Sequence, residues 1–351
     1  MMLDYLIVGS GLAGISFAKQ LIDNGNTFKI LASDKTSSSK VAGGMYNPVI
    51  LKRFTPVWDI EDQYKHFEDY YNELEKLLET KINYPIDIKR LFTSIEEQNT
   101  WFAKCDHPVL SNFMSTELDK TNYSGIDSPF AYGNVINGGW VDTAKLITSF
   151  EAFLKQEEKL IRASFKHSLL KIENGFIEYD NIKAKRIVFC EGIGLKNNPF
   201  FNYLPMKEAK GELLIIKSEA LDIDFILKSS VFILPLGNSL FKVGATFNWN
   251  DKTEMPTEAG KEELIQKLKA VIDVPFEVVD QLAGIRPTVK DRRPLVGIHP
   301  NYKQLCILNG LGTRGVLIGP KYAKELYNHI EFDHQINPEA DINRYTELYQ
   351  G

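Results

Sequence analysis

Cysteine is scarce. The chain of 351 residues has three, Cys105, Cys190 and Cys306. They are odd in number, far apart, and include no CxxC pair, which excludes a disulfide framework and fits a reducing cytoplasm. Long apolar runs are missing too: none approaches the roughly 20 residues a membrane helix needs. The opening Met-Met-Leu-Asp has no basic region and no long apolar stretch, so no signal peptide is expected. Positive charge is not in excess. Lys and Arg total 41 against 46 Asp and Glu, a formal charge of −5, whereas a nucleic-acid binder is expected to be basic. Metal-ligand spacings are lacking: His329 and His334 have no matching carboxylates, and Cys105-Asp106-His107 has no partner cysteines, so no metal site is expected. Internal repeats, low-complexity tracts and an obvious linker are also absent. What remains is globular: 44% hydrophobic and 25% charged residues. At roughly 150 residues per domain, the length suits two domains or one large body with an insertion.

The N-terminal segment carries the strongest local signal. Tyr5-Leu6-Ile7-Val8 is a short apolar run bounded by glycine, as in a buried parallel strand. Gly9-Ser10-Gly11-Leu12-Ala13-Gly14 follows, and then Ile15, Ala18 and Ile22 mark one helix face. Phe28-Lys29-Ile30-Leu31 supplies a second strand, completing a βαβ unit. In this setting GxGxxG has a physical task. Gly9 permits the tight turn, Gly11 lets a pyrophosphate approach the backbone, and Gly14 lets the helix pack against the strand. The amide end of the helix then holds the anion. An acid should close the second strand and bind a ribose. Ala32 stands there instead, leaving Asp34 from a shifted turn, or Ser33 with backbone groups, to take its place.

Downstream, Ile60, Tyr64, Phe67, Tyr71, Leu74 and Leu78 form a stripe that predicts one long amphipathic helix packed on its own domain. Asp142 is placed to cap a helix bearing Leu146, Ile147, Phe150 and Leu154. Residues 210–250 alternate like an antiparallel sheet. In one of these strands Leu240, Lys242, Gly244 and Thr246 share a face, opposite an apolar set of Phe241, Val243, Ala245 and Phe247. A helix with Leu264 and Leu268 follows, and the last elements are a strand at 305–308 and a helix near 320–330. The antiparallel middle thus reads as an insertion into an α/β body.

Two C-terminal motifs carry a resemblance to a known family. Gly284-Ile285-Arg286-Pro287, with Asp291, Pro294 and Gly297, is similar to the GxRPxxxDxxPxxG signature of the FAD-dependent D-amino-acid oxidase family, which includes glycine and sarcosine oxidases. Asn309-Gly310-Leu311-Gly312-Thr313-Arg314-Gly315 resembles its flavin-facing glycine loop. Ala42-Gly43-Gly44-Met45-Tyr46-Asn47-Pro48 resembles the glycine-rich segment beside the flavin. Gly138 to Asp142 and Cys190-Glu191-Gly192 match further family segments. The Thr313-Arg314-Gly315 form is also similar to the oxidase domain of a bifunctional enzyme that trims tRNA wobble uridine.

The resemblance implies an α/β (α+β) fold: a Rossmann-like FAD domain at 1–58, 135–205 and 284–351, with an inserted, mostly antiparallel substrate domain at 59–134 and 206–283. It implies noncovalent FAD, because no cysteine stands in Ile285-Arg286-Pro287. The cofactor contacts it implies are Gly9, Gly11, Leu12, Ala13 and Gly14; Ser33, Asp34, Ser38, Ser39 and Lys40; and Gly43, Gly44 and Met45. Further along they are Leu170, Cys190, Glu191, Gly192, Arg286, and Gly310, Leu311, Gly312, Thr313, Arg314, Gly315 and Val316. Tyr46, Arg286 and Arg314 are expected at the substrate, with Tyr46 otherwise a packing residue. Arg286 is expected to clamp a substrate carboxylate, or else to pair with Asp291. Arg314 is divided between substrate contact and loop support. Phe241-Lys242-Val243-Gly244 resembles the sarcosine-oxidase strand whose lysine promotes reaction with oxygen; a solvated surface lysine is the competing reading. The implied chemistry is oxidation of a small amine or amino acid. Hydride passes to flavin N5, water hydrolyses the imine, and peroxide is released. Two alternatives stand beside it: a tRNA-modifying oxidase, and a dehydrogenase with another electron acceptor.

Overall fold

The computed structural model describes residues 2–34 and 37–349. Leu160–Arg162, Phe28–Ala32, Met2–Val8, Ile182–Phe189 and Leu305–Asn309 lie side by side, all parallel. Such strands must be apolar on both faces, and Leu6, Ile7, Ile30, Ile187, Val188 and Ile307 are fully buried. The helices Leu12–Asp23, Thr143–Gln156 and Gly315–Phe332 send Ile15, Leu21, Phe150 and Leu317 into one core with Tyr5, Ile7 and Ile30. The hairpin Leu170–Glu173/Phe176–Tyr179 and the loop around Phe201 and Leu204 join a second core with Leu6, Val8 and Phe189.

A second sheet has the order Glu277–Val289, Met206–Lys217, Leu240–Gly244, Phe232–Gly237, Ile226–Lys228, Ile88–Leu91, Tyr132–Val135, Met114–Asp119. All its pairs are antiparallel except Ile226–Lys228 with Ile88–Leu91. Alternation separates its faces. Leu213, Ile226, Phe232 and Leu234 point into the main core, whereas Leu214, Leu227, Ile233 and Val243 meet Leu264 and Leu268 of the helix Glu258–Lys269. This is the expected fold: a parallel, helix-covered sheet and an inserted antiparallel one. No helix among the described residues is long and apolar enough to cross a membrane.

The structure corrects several details. The long stripe at 60–78 is two helices, Ile60–Tyr64 and Phe67–Leu78, broken at Lys65–His66. Tyr70, three residues from Phe67 and four from Leu74, is buried on the same face as Phe67, Tyr71 and Leu74. These helices were expected in the substrate domain. They pack on Gly315–Phe332, where the Tyr71 hydroxyl donates to Val316 O at 2.8 Å. Glu277–Val289 runs unbroken across the expected boundary at 284. The alternation expected through residue 247 stops with the strand at Gly244; Phe241 and Val243 enter the core, but Phe247 does not. The last helix starts at Gly315, five residues before Pro320.

Candidate active site

The glycine turn sits at the C-terminal end of Met2–Val8. Gly9 has φ +104°, and a Cβ there would lie 2.4 Å from Cys190 O; one on Gly14 would lie 1.9 Å from Gly9 O. Both glycines are demanded by the chain itself. Gly11 is different. Its φ is −75°, and a Cβ would meet only Ser39 Oγ, at 3.1 Å. The helix it opens has no capping side chain and no acid in its first turn, although Leu12 N donates to Ser39 Oγ at 3.3 Å. The helix Gly315–Phe332 begins the same way, after Arg314, with no side-chain cap and no acid. A Cβ on Gly315 would lie 2.8 Å from Leu12 Cδ1, so the two amide ends sit together. Their dipoles favour an anion.

At the end of Phe28–Ala32, Ala32 is buried while Ser33 and Asp34 are exposed. Arg162 lies opposite Ala32 in the neighbouring strand. The local organiser is Glu151, which the sequence reading missed. Its carboxylate accepts from Ser10 Oγ at 2.6 Å and from both Arg162 terminal nitrogens at 2.7 and 3.3 Å; Lys40 Nζ lies 3.4 Å away. Burial pushes this carboxyl upward, but Arg162, Ser10 and Lys40 outweigh it and hold the pKa below the ordinary value. The only signal in the sequence was an acid beside Phe150 on an otherwise apolar helix face. Cys190 N donates to Val8 O at 2.8 Å, and burial pushes its thiol pKa up. Glu191 meets His167 Nε2 at 3.0 Å and Asn198 Nδ2 at 2.7 Å. Gly192 has φ +57°, and its carbonyl accepts from Asn309 Nδ2 at 3.1 Å. Leu170 packs on the second core.

The antiparallel sheet presents its main-core face to the segment 38–45. A Cβ on Gly284 would meet Val41 Cβ at 3.4 Å and Ser38 Cα at 3.5 Å. Arg286, two residues on, shares this face. Its guanidinium lies over Gly211, where a Cβ would be 1.9 Å from Nη2, and donates to Lys210 O and Thr246 O, each at 3.2 Å. Desolvation lowers its pKa, with no carboxylate opposing. The ion pair with Asp291, held open from sequence, does not form. Asp291 instead accepts from Arg344 Nε at 2.9 Å and Tyr345 hydroxyl at 2.7 Å. Phe247, 50% exposed, covers the Arg286 guanidinium at 5.2 Å.

Lys242 is not a solvated surface lysine. Its Nζ is 3.4 Å from Ala42 O, and desolvation lowers its pKa against an opposing effect of Asp142. Phe232 meets Gly43, where a Cβ would be 3.2 Å from the ring. Gly44 has φ +70°, and a Cβ there would lie 1.9 Å from Val141 O. Met45 pairs with Trp140. Tyr46 is buried in the core with its ring 4.5 Å from Phe67, so packing occupies it. Gly312 N donates to Pro287 O at 3.0 Å, tying the two C-terminal motifs together. Gly310 has φ +69°, Leu311 and Val316 are buried, and Thr313 is exposed. Arg314 has its pKa lowered by burial and by the neighbouring Arg292 and Arg293.

A family profile described as "FAD dependent oxidoreductase" matches residues 4–328, nearly the whole chain. The chain belongs to this FAD-dependent oxidoreductase family. A glycine oxidase of Bacillus subtilis (strain 168) is 25% identical over 209 residues, covering 55% of this chain and 56% of that enzyme. The chain thus matches little more than half the length of that relative. Among solved structures, glycine oxidase from Bacillus cereus ATCC 14579 superposes with a TM-score of 0.77 at 18% identity, covering 95% of this chain and 96% of that one. L-proline dehydrogenase from P. horikoshii gives 0.76 at 14%, covering 99% and 98%. At these identities the likeness establishes the fold. The residues present fit the family's cofactor: two adjacent helix N-termini with no acid in their first turns suit its pyrophosphate and polar ring edge.

Proposed function

We propose that this oxidoreductase oxidises a small amine or amino acid at the C–H next to nitrogen, using noncovalently held FAD. When bound, FAD accepts the hydride. The observation that carries the reading is Arg286, a largely buried guanidinium with no carboxylate partner among the described residues, on the sheet face turned to the Ser38–Met45 segment. An unpaired buried charge is costly, and a substrate carboxylate would pair with it. The planar fork would fix both the distance and the angle of such a group, presenting its α-carbon to the cofactor. Lys242 is assigned to the acceptor side, because a desolvated cation stabilises the superoxide formed when oxygen is reduced. Oxygen is therefore the proposed acceptor, and peroxide with an imine that water hydrolyses are the proposed products. Arg314 supports the glycine loop at the mouth of the site, with a substrate contact as its second assignment. The proposed cofactor division comprises residues 1–58, 135–205 and 284–351, and Glu277–Val289, which crosses its boundary at 284, belongs to the antiparallel sheet. Three free cysteines suit a cytoplasmic enzyme.

The test is anaerobic mixing of the yellow holoenzyme with a panel of amines while the flavin absorbance is followed. Carboxylate-bearing amines should bleach it. Arg286→Lys should slow that bleaching by a factor corresponding to about 2–5 kcal/mol, at unchanged FAD content. A colourless protein that binds NAD, or an Arg286→Lys variant with wild-type rates, overturns the proposal.

A further inference from the structure

The same sheet face holds another cation that the proposed reaction does not use. Lys228 shares the main-core face with Ile226, one side-chain position away. Its Nζ lies 5.3 Å from the centroid of the Phe232 ring, the ring that packs against Gly43 and Gly244. The contrast with Arg90, its register partner in the next strand, is informative. Arg90 receives a carboxylate: Glu97 Oε1 accepts from its Nε at 2.9 Å and from Nη2 at 2.6 Å. Lys228 is largely buried, yet among the described residues no carboxylate reaches it; desolvation and Arg90 both act against its charge. Retaining an unpaired ammonium in such a place is costly unless an anion arrives from outside.

Strand spacing locates that anion. The Arg286 guanidinium lies over Gly211, on the strand Met206–Lys217. The Phe232 ring beneath Lys228 belongs to a strand two places away, across Leu240–Gly244. Gly211 also stands two residues along its strand from Leu213, which shares a row with Gly244 and Phe232, so the separation is about 12 Å. Carboxylates seated about 3–4 Å from each cation leave a gap of about two or three methylenes. The floor between them is apolar: Leu213 Cδ2 lies over Gly244, beside the Phe232 ring.

We propose that Lys228 receives a second, distal carboxylate of the substrate, so that the enzyme acts on dicarboxylic amino acids. This rests on the reading of Arg286 as the clamp for the first carboxylate. Two measurements on the holoenzyme test it. In the first, aspartate and glutamate are compared with asparagine and glutamine, in both configurations, for anaerobic flavin reduction. The diacids should react at least tenfold faster in the wild type. Lys228→Met should remove that advantage and leave the amides unchanged, and Lys228→Arg should keep most of it. In the second, succinate and glutarate, which cannot be oxidised at a C–N bond, are titrated against butyrate while the flavin spectrum is followed. The diacids should bind more tightly, and only their binding should weaken in Lys228→Met. Equal affinities in the wild type, or equal weakening of diacid and monoacid in the variant, overturn the assignment. Lys228-dependent diacid binding with no bleaching by any amine would support the second anion site and refute the oxidation reading, so the two failures separate. Lys228→Met should keep its FAD and, below pH 8, melt no lower than wild type, since it removes a buried cation that no carboxylate among the described residues neutralises.

Discussion

Gly14 and Gly11 belong to one motif, but the geometry gives them different tasks, and two alanine variants separate these. A Cβ on Gly14 would stand 1.9 Å from Gly9 O. Ordinary contact begins near 3.4 Å, so the helix Leu12–Asp23 must retreat by about 1.5 Å from the strand turn. Overpacking of this kind costs about 1–3 kcal/mol, which for a chain this long is a fall of several degrees in Tm, at about 2–4 °C per kcal/mol or less. The retreat also carries the amide end away from the cofactor. Gly11→Ala meets only a rotatable serine hydroxyl at an ordinary negative φ. The apoprotein should therefore keep its stability to within about 0.5 kcal/mol, while FAD affinity falls at least tenfold because a methyl occupies the approach to the amides. The assay is a melting curve of each apoprotein, followed by FAD titration monitored by flavin fluorescence. Equal Tm losses in the two variants, or wild-type FAD affinity in Gly11→Ala, would refute the division into a glycine the fold needs and a glycine the cofactor needs.

Other predictions are more direct. Lys242→Met should slow reoxidation of reduced flavin by oxygen while leaving anaerobic reduction by substrate nearly unchanged; stopped-flow traces showing normal reoxidation would remove Lys242 from the oxygen reaction. Lys228 is pushed down to about 8 by desolvation and Arg90, from an ordinary value near 10.5. Its charged form is thus disfavoured by folding, a penalty of about 3 kcal/mol that is fully present below pH 8 and fades as pH rises toward 10.5. Wild type should therefore gain stability relative to Lys228→Met across that window, as read by denaturant midpoints; a flat difference would contradict the burial. Asp291→Asn should weaken the hold on Arg344 and Tyr345 and lower stability by about 1–3 kcal/mol. Amine oxidation should change by less than twofold, and a large loss of activity would mean that Asp291 acts on Arg286 after all.

The βαβ unit was legible because each of its signals is local: an apolar strand, a glycine turn and a helix period within 30 residues. The antiparallel insertion was legible from alternation, but only while the strand lasts; nothing in Ala245-Thr246-Phe247 announces that the pattern ends and that Phe247 turns over Arg286. The identity of Arg286 came from its motif. Its lack of an acid partner depends on Arg344, 53 residues beyond Asp291, which claims the carboxylate that the motif places nearby. Glu151 left only a faint signal in the sequence, and Lys228 left none. Each is one charged residue beside an apolar run, and such residues are ordinarily solvated. Only the neighbouring strands, brought in from distant sequence, show one to be gathered by three donors and the other to be left alone.

The strand Glu277–Val289 has a consequence for how such an enzyme can diversify. It bonds to Met206–Lys217 along nearly its whole length, carries Arg286, and through Pro287 O holds the glycine loop at Gly312. The distance from the proposed clamp, Arg286, to the proposed cofactor loop at Gly312 is therefore built into one strand and does not depend on domain closure. Lys228, proposed to decide what else a ligand must carry, lies on another strand. It can be exchanged without resetting the proposed reacting distance. The scaffold therefore works as a fixed gauge with replaceable jaws, and new specificities on it require no new alignment.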